Sequence, residues 1–152
     1  MTLPINFFIS EMSLFDSLSI DDIKHIEQRL SYKELEKNAV IYRQGTEGRS
    51  VCFVVDGELS IVRRSDEGDV VISTVGKGQS VGEMAIIDGL TRSADVIAAT
   101  NTAVLILKRD DFDTLVEEQP AIAVKVLKSL ARVLSSRLRD RSEDVAHYLV
   151  SR

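Results

Sequence analysis

The sequence predicts an α+β fold that is mainly β, with helices flanking the β region, and three patterns carry this prediction. Between Ala39 and Lys108, short runs rich in Val and Ile alternate with turns that contain Gly, as in a β domain. The residues before this region carry apolar side chains at helical spacing. The stretch from Ala121 to about Val150 has neither Gly nor Pro, which predicts one long helix.

The length and composition favour a single domain over residues 1–152. The chain has 152 residues, of which 44% are hydrophobic and 28% are charged. A chain of this length buries roughly two thirds of the surface that it exposes when unfolded, so it needs no disulfide or structural metal. Its one cysteine, Cys52, lies in the apolar run Val51–Val55, and we predict a small buried side chain there, not a reactive thiol.

The N-terminal segment, residues 1–38, is predicted to be helical. Ser19 is a suitable N-cap before Asp21 and Asp22, because its hydroxyl can accept from the free backbone N–H groups at a helix start. We expect this helix to pack on the β region with its apolar face. The residues that line this face are Ile20, Ile23, Ile26 and Leu30.

The β region, residues 39–108, contains several apolar runs of strand length. A loop at Ser65–Asp69 joins two of them and has the Gly and Asp residues that suit a hairpin turn. The predicted strands are Ala39–Tyr42, Val51–Val55, Leu59–Arg63, Val70–Val75, Asp95–Ala98 and Ala103–Leu107.

The C-terminal segment, residues 109–152, is predicted to hold two helices. Asp110 and Asp111 open a short helix that ends before Pro120, and the long helix follows. The long helix carries an apolar stripe, which either its own domain or the same helix of a second copy must cover. The sequence leaves both alternatives open. The stripe consists of Ala123, Leu127, Leu130, Leu134 and Leu138.

The segment 78–96 separates two predicted strands and is too long for a hairpin turn. Within it, Glu83–Ile87 can form about one turn of helix, from which Gly89 can release the chain. Long ordered insertions between strands often bind a ligand. This segment is therefore the strongest candidate for a binding site.

The amino-acid sequence of this segment resembles the phosphate-binding cassette of cyclic nucleotide-binding domains. The residues that match are Gly82–Ile86, followed by Arg92–Ala94. The family includes the catabolite activator protein, protein kinase regulatory subunits and cyclic nucleotide-gated channels. Gly45 and Gly57 stand where family members place turn glycines, whereas Thr91 stands where many members have Pro. The resemblance implies an antiparallel β-roll, or jelly roll, of about eight strands with N-terminal helices and a long C-terminal helix.

The matched residues also suit the chemistry of a 3′,5′-cyclic nucleotide. The planar guanidinium of Arg92 can donate to both exocyclic phosphate oxygens, and Ser93 can add a hydroxyl donor. Gly82 lets the backbone approach the phosphate, where the N–H groups of the short helix would also point. The Glu83 carboxylate can accept from the ribose 2′-hydroxyl, a bond of about 1.5–3 kcal/mol that rejects a 2′-deoxy analogue by about tenfold or more. Met84, Ala85 and Ala94 complete the predicted ligand-binding residues of the cassette.

Taken singly, two of these residues have commoner structural explanations. Glu83 would cap a helix, and Arg92 would form a surface salt bridge. Their joint spacing within one motif favours nucleotide binding.

The base is commonly covered by the C-terminal helix in the family, which points to Arg141, Ser142 and Tyr148 here. Ser142 could bind an exocyclic amino group and Arg141 could stack over a ring, although a solvated charged tail is an equally good interpretation. Thr at the position of Ser93 is associated with guanine-preferring members of the family. The resemblance therefore favours cAMP over cGMP.

These observations predict a regulatory or sensor domain that binds a cyclic nucleotide and changes conformation on binding. The ligand would tighten the cassette and move the helices from Asp110 onward against the β region. The signal would pass to an unknown separate partner, or the chain would be a regulatory fragment of a longer protein. The alternative is a scaffold or dimerisation module that keeps the fold without using the ligand.

An enzyme with a related β architecture is a poorer interpretation. A cupin-like metal site needs several His or carboxylate ligands on strands, but the two histidines, His25 and His147, fall in predicted helices. No Ser, Cys or Thr stands beside a suitable base. We therefore predict no catalytic residue, no metal site and no cofactor.

The net charge and the hydropathy of the chain argue against a nucleic-acid-binding protein and against a membrane protein. The net charge of −5 disfavours attraction to nucleic acid or anionic lipid. No stretch approaches the roughly 20 apolar residues of a membrane span, and no secretory leader is evident, so we expect a cytoplasmic protein. The basic residues of the last helix are typical of a solvated face; they are Lys125, Lys128, Arg132, Arg137, Arg139 and Arg141.

Overall fold

The computed structural model describes residues 4–150, with side chains throughout except at position 145 and positions 147–150. The side chains of His147 and Tyr148 therefore lie outside the described part of the chain. The helices are α1 (Ile5–Glu11), α2 (Ile20–Glu27), α3 (Met84–Ile87), α4 (Arg109–Glu118) and α5 (Pro120–Val150), with a 3₁₀ turn at Ser13–Phe15. The strands are β1 (Leu30–Leu35), β2 (Val40–Tyr42), β3 (Ser50–Asp56), β4 (Glu58–Ser65), β5 (Gly68–Gly76), β6 (Ser80–Val81), β7 (Asp95–Ala98) and β8 (Thr102–Lys108).

Within residues 4–150, eight strands form two antiparallel sheets of four strands each. One sheet has the order β1-β8-β3-β6, and the other has the order β2-β7-β4-β5. The predicted hairpin loop is the turn between β4 and β5, where Ser65 pairs with Gly68. The antiparallel jelly roll of about eight strands with flanking helices is confirmed.

Strand β3 shows where the two parts of the core lie. All five residues of its apolar run are between 0% and 8% exposed. Because side chains alternate across a strand, Cys52 and Val54 point to the core between the sheets, whereas Val51, Phe53 and Val55 pack against the helices. The predicted burial of Cys52 is confirmed.

The N-terminal segment is helical only in its first part. Helix α2 begins after Ser19, whose hydroxyl accepts from the Asp22 N–H at 3.1 Å while the Asp22 carboxylate accepts from the Ser19 N–H at 3.0 Å. The helix ends at Glu27, however, and Leu30–Leu35 form the edge strand β1, which pairs with β8. The extension of the helical segment to residue 38 is therefore wrong. Strand β1 is largely exposed between its two buried ends, so the sequence gives little of the alternation that marks a strand.

Helix α5 is one long helix, as predicted, but the residues of the predicted stripe lie on two faces. Ala123 and Leu130 are buried against their own domain, whereas Leu127 is 40% exposed and Leu138 is 68% exposed. The face of α5 that packs on the domain includes Ala123 and Leu130 together with residues beside the predicted stripe. The buried residues of this face are Ile122, Ala123, Val126, Ser129 and Leu130.

Among the helices in the described range, none combines the length and the hydropathy that crossing a bilayer requires.

Candidate functional site

The candidate site is built on the insertion between β6 and β7. Strand β6 pairs with β3 through Cys52 and Val81, which places the start of the insertion on the edge of a sheet. The chain then turns at Gly82, where φ is +84°, and enters α3. A Cβ at Gly82 would overlap Nη1 of Arg92, so a larger residue here would displace the guanidinium.

Arg92 lies on the return path of the insertion, and the loop between β2 and β3 holds its backbone from both sides. The Arg92 N–H donates to the Thr46 carbonyl at 2.7 Å, and the Gly45 N–H donates to the Arg92 carbonyl at 2.8 Å. A bridge between Glu47 and Thr91 extends this pairing. The loop between β2 and β3 therefore fixes the position of Arg92 beside the start of α3.

The side chain of Arg92 is half-buried and lies over an aromatic ring. Its Cζ is 3.7 Å from the centroid of the Tyr42 ring, and its Nη2 donates to the Ser50 carbonyl at 2.7 Å. The Tyr42 and Ser50 hydroxyls are 2.7 Å apart, and burial raises the pKa of the Tyr42 hydroxyl to about 12. Among the described residues, no carboxylate lies within salt-bridge distance of Arg92. The alternative explanation, a surface salt bridge, is therefore not what positions this guanidinium.

The side chain of Glu83 is buried at the other side of Gly82. Glu83 is 3% exposed and occupies the N-cap position of α3, but its side chain makes no capping hydrogen bond. Instead, Oε1 accepts from the Ser80 hydroxyl at 2.6 Å and from Nη1 of Arg137 at 2.7 Å. Nη2 of Arg137 also donates to the Ser80 carbonyl. One residue of α5 thus bridges the carboxylate and the backbone of the cassette.

Both charged groups of the cassette affect the pKa of the buried Cys52 thiol. Burial is the main cause that raises its pKa to about 12, while the Arg92 guanidinium lowers this pKa and the Glu83 carboxylate raises it. Arg92 contacts Ser50 of β3, and Glu83 contacts Ser80, which pairs with Phe53 of β3, so both side chains lie beside this strand. A guanidinium and a carboxylate placed in this way match an anion and a hydroxyl on one small molecule.

The structure brings some of the sequence-predicted residues together and leaves others apart. Gly82, Glu83 and Arg92 converge near β3, and two small residues beside them, Ala85 and Ala94, are buried at 3% and 5% exposure. Met84 is 59% exposed, and Ser93 is also exposed. The remaining two predicted residues, Arg141 and Ser142, are exposed on α5, beyond Arg137.

Four residues that contact the charged pair were not singled out as site residues in the sequence. Tyr42 and Ser50 hold Arg92, whereas Ser80 and Arg137 hold Glu83. Tyr42 and Ser50 lie in or beside predicted strands, where a sequence pattern indicates packing only. Arg137 lies 54 residues from Glu83 and looks like one more basic residue of a solvated helix face.

Comparison with known proteins identifies the family of this arrangement. Residues 32–119 match the family model described as the cyclic nucleotide-binding domain. A protein of Rhodopseudomonas palustris, provisionally named as a potassium channel protein, is 31% identical over 119 residues, which cover 78% of this chain and 28% of that protein. A lysophospholipase of Phaeosphaeria nodorum is 30% identical over 126 residues, 82% of this chain and 8% of that protein. The chain thus spans only a small part of the curated relatives that it matches.

Solved structures show the same fold. A cyclic nucleotide-binding domain from Methylobacillus flagellatus superposes with a TM-score of 0.83 at 25% identity, covering 95% of this chain and 82% of that one. A mutant regulatory subunit of a cAMP-independent protein kinase A from Trypanosoma brucei, bound to cAMP, superposes with a TM-score of 0.71 at 26% identity over 84% of this chain and 44% of that one. Since the family match covers 32–119 of 152 residues and includes the cassette around Gly82 and Arg92, this chain belongs to the cyclic nucleotide-binding domain family.

Proposed function

We propose that this chain binds a cyclic nucleotide and acts as a sensor, with cAMP preferred over cGMP. The observation that carries the proposal is the environment of the Arg92 guanidinium. This guanidinium is half-buried and held by a ring and a carbonyl, and no described carboxylate neutralises it. A positive charge kept in this way is suited to an anion, and a singly charged cyclic phosphate has two exocyclic oxygens for the guanidinium fork.

The ribose is proposed to bind at Glu83. The two hydrogen bonds to this carboxylate among the described residues both end on Oε1, from Ser80 and Arg137. Oε2 is then the oxygen that would accept from the 2′-hydroxyl. A charge-assisted bond of this kind contributes about 1.5–3 kcal/mol, so a 2′-deoxy analogue would bind more weakly by a factor of about ten or more.

The phosphate and base contacts complete the proposed site. At the start of α3 the Ala85 and Ile86 N–H groups already donate to the Gly82 and Glu83 carbonyls, at 3.1 and 3.2 Å. The Met84 N–H, next to Gly82, is the helix-start donor proposed to bind the phosphate, together with the hydroxyl of Ser93. Met84, Ala85 and Ala94 are proposed to lie against the bound nucleotide. Arg141 and Ser142 stay predictions for the base, since their side chains are exposed on α5 and would need to approach the cassette in the bound state.

The proposed output is a shift in the position of the helices that follow the jelly roll. Such a shift requires that the ligand bind one arrangement of α4 and α5 more tightly than another. The curated relatives are much longer than this chain, so the receiver would be a separate protein or another part of a longer one. The role proposed here is binding and not catalysis, and its setting is the cytoplasm.

A second candidate function is a dimerisation module that does not use the ligand. The outer face of α5 carries apolar residues at alternating spacings of three and four, as in the seam of a two-stranded coiled coil. Val124 is 49% exposed, Leu127 is 40% exposed and Leu138 is 68% exposed, so the domain itself leaves this seam open. The seam consists of Val124, Leu127, Ala131, Leu134 and Leu138.

Titration calorimetry separates the two candidates. We expect saturable heat when cAMP is added to the protein, loss of that heat in Arg92→Ala, and weaker binding in Glu83→Ala. Arg63→Ala is the matched control, because Arg63 is an exposed arginine on β4, and it should bind like the wild type. Absence of heat with both cAMP and cGMP in a folded wild-type protein would reject the sensor and favour the dimerisation module.

A further inference from the structure

A bulge in strand β2 turns the side chain of Tyr42 toward Arg92. Between Val40 and Tyr42, the register of β2 against β7 shifts by one residue. Successive side chains of a strand normally alternate between its two faces, but here Ile41 and Tyr42 both pack against the core between the sheets. The bulge therefore directs the Tyr42 ring inward, where its centroid is 3.7 Å from Cζ of Arg92.

A second contact fixes the ring and the guanidinium relative to each other. The hydroxyls of Tyr42 and Ser50 are 2.7 Å apart, and the Ser50 carbonyl accepts from Nη2 of Arg92 at 2.7 Å. Burial raises the pKa of the Tyr42 hydroxyl to about 12, so the ring is neutral at physiological pH. One residue of β3 thus holds the edge of the ring and the end of the guanidinium at the same time.

An aromatic ring and a carboxylate hold a guanidinium in different ways. A carboxylate forms a salt bridge, which a phosphate would have to displace before it could use the same N–H groups. The face of a ring attracts the cation through its quadrupole and leaves the net charge in place. Arg92 has the ring of Tyr42 and, among the described residues, no carboxylate within salt-bridge distance. The ring therefore holds the guanidinium while its charge stays available to an anion.

We propose that Tyr42 is a positioning residue for phosphate recognition, because its ring presents the Arg92 guanidinium to the phosphate without neutralising it. The inference rests on the proposed function and deepens it, since it names the residue through which β2 contributes to the anion site. Without the ring, the guanidinium would keep the hydrogen bond to the Ser50 carbonyl but could turn about it. Ordering the guanidinium again would then cost part of the free energy of phosphate binding.

The test measures the dissociation constants of cAMP and 2′-deoxy-cAMP for wild type, Tyr42→Leu, Tyr42→Phe and Tyr32→Leu. Tyr32→Leu is the matched control, because Tyr32 is a half-buried tyrosine on β1, at the edge of its sheet opposite β6. We expect Tyr42→Leu to bind cAMP more weakly by about fivefold or more, whereas Tyr42→Phe and Tyr32→Leu should bind it nearly as the wild type does. The preference for cAMP over 2′-deoxy-cAMP should stay unchanged in Tyr42→Leu, because the ring acts on the phosphate and not on the ribose.

The outcomes separate this inference from the proposed function. If the wild type binds neither nucleotide, the proposed function fails and the inference falls with it. If the wild type binds cAMP and Tyr42→Leu binds it equally well, or if Tyr42→Phe is weakened as much as Tyr42→Leu, the inference alone is overturned. A lower preference for cAMP over its 2′-deoxy analogue in Tyr42→Leu would indicate a general loosening of the cassette and would overturn the inference too.

A further variant covers the case in which Tyr42→Leu does not fold. Pentafluorophenylalanine at position 42 keeps the shape of the ring but removes the negative charge of its face. We expect this variant to bind cAMP severalfold more weakly than Tyr42→Phe, through loss of the attraction between ring and cation. Equal binding in the two variants would show that the ring only fills space, and the inference would be wrong.

Discussion

At the scale of single residues, Gly82 joins the two charged groups of the site. Its φ of +84° suits a residue without a side chain, and a Cβ here would overlap the Arg92 guanidinium. We expect Gly82→Ala to weaken cyclic nucleotide binding by about tenfold or more, because the displaced guanidinium loses a charge-assisted hydrogen bond to the phosphate. The measurement is a calorimetric titration of the variant with cAMP.

The control for this prediction is Gly78→Ala. Gly78 has the same φ of +84°, but nothing lies within 4 Å of an added Cβ. Both variants should therefore lose stability from the strained backbone, by about 1 kcal/mol, while only Gly82→Ala should lose affinity. Equal affinity in the two variants would show that Gly82 does not set the position of Arg92.

The sequence motif points to Glu83 and Arg92 as candidate site residues, but no sequence pattern points to the residues that hold them. A short motif with fixed spacing marks both residues, because local backbone geometry brings them to one place. Arg137 approaches from a helix 54 residues away from Glu83, and only the packing of α5 determines which of its basic residues faces the cassette. The same holds for Tyr42, whose ring under Arg92 depends on the pairing of β2 with β7.

At the scale of secondary-structure elements, an ion pair ties α2 to α5. Nζ of Lys125 lies 2.6 Å from Oδ2 of Asp22, and this hydrogen bond is the main cause that lowers the pKa of Asp22 below 3.8. A carboxyl whose pKa is lower in the folded state stabilises the fold above its unfolded pKa, and this contribution is lost as the pH falls through the folded pKa. The pair should therefore act at neutral pH and fade in acid.

We predict that Asp22→Asn lowers the free energy of unfolding by about 0.5–1 kcal/mol at pH 7, and by less as the pH falls below about 4. Asn keeps an acceptor for the Ser19 N–H, so the helix cap is largely retained. Urea unfolding at pH 7 and at pH 3 measures the difference, with exposed Asp21→Asn as the control. A difference from wild type that is the same at both pH values would contradict the role of the ion pair.

The outer face of α5 carries a prediction of its own. If the open seam pairs with a second copy, a double substitution of Leu127→Glu and Leu138→Glu places like charges in the seam and should convert a dimer to a monomer. Sedimentation velocity measures the oligomeric state, and Lys128→Glu, a charge change beside the seam, is the control. A wild type that is monomeric at high concentration would contradict the dimerisation module.

The elements themselves were predictable where their pattern is strong. The apolar run of β3 and the helical stretch without Gly or Pro in α5 were found from sequence, because burial on both faces and uninterrupted helix formers leave clear signals. Strand β1 was missed because it is an edge strand with few buried residues, and β6 because it is only two residues long. For both, the partner strand and not the local sequence determines the structure.

At the scale of the whole molecule, β3 stands between two clusters of buried side chains. One face of this strand packs on the core between the sheets, and the other packs on the core with α4 and α5. The cassette adjoins the same strand through Cys52 and Val81. A ligand on Arg92 and Glu83 would therefore act close to the surface on which the C-terminal helices rest, which is what a sensor that moves these helices requires.

In the proposed site, one ligand binds Arg92 and Glu83 together, and an NMR titration of the backbone amides with cAMP tests this binding. We predict saturable shifts that are largest at Gly82–Ala85 and at Arg92–Ala94, because the phosphate and the ribose would contact these two stretches. Absence of saturable shifts, or largest shifts at residues far from both stretches, would contradict binding at this site.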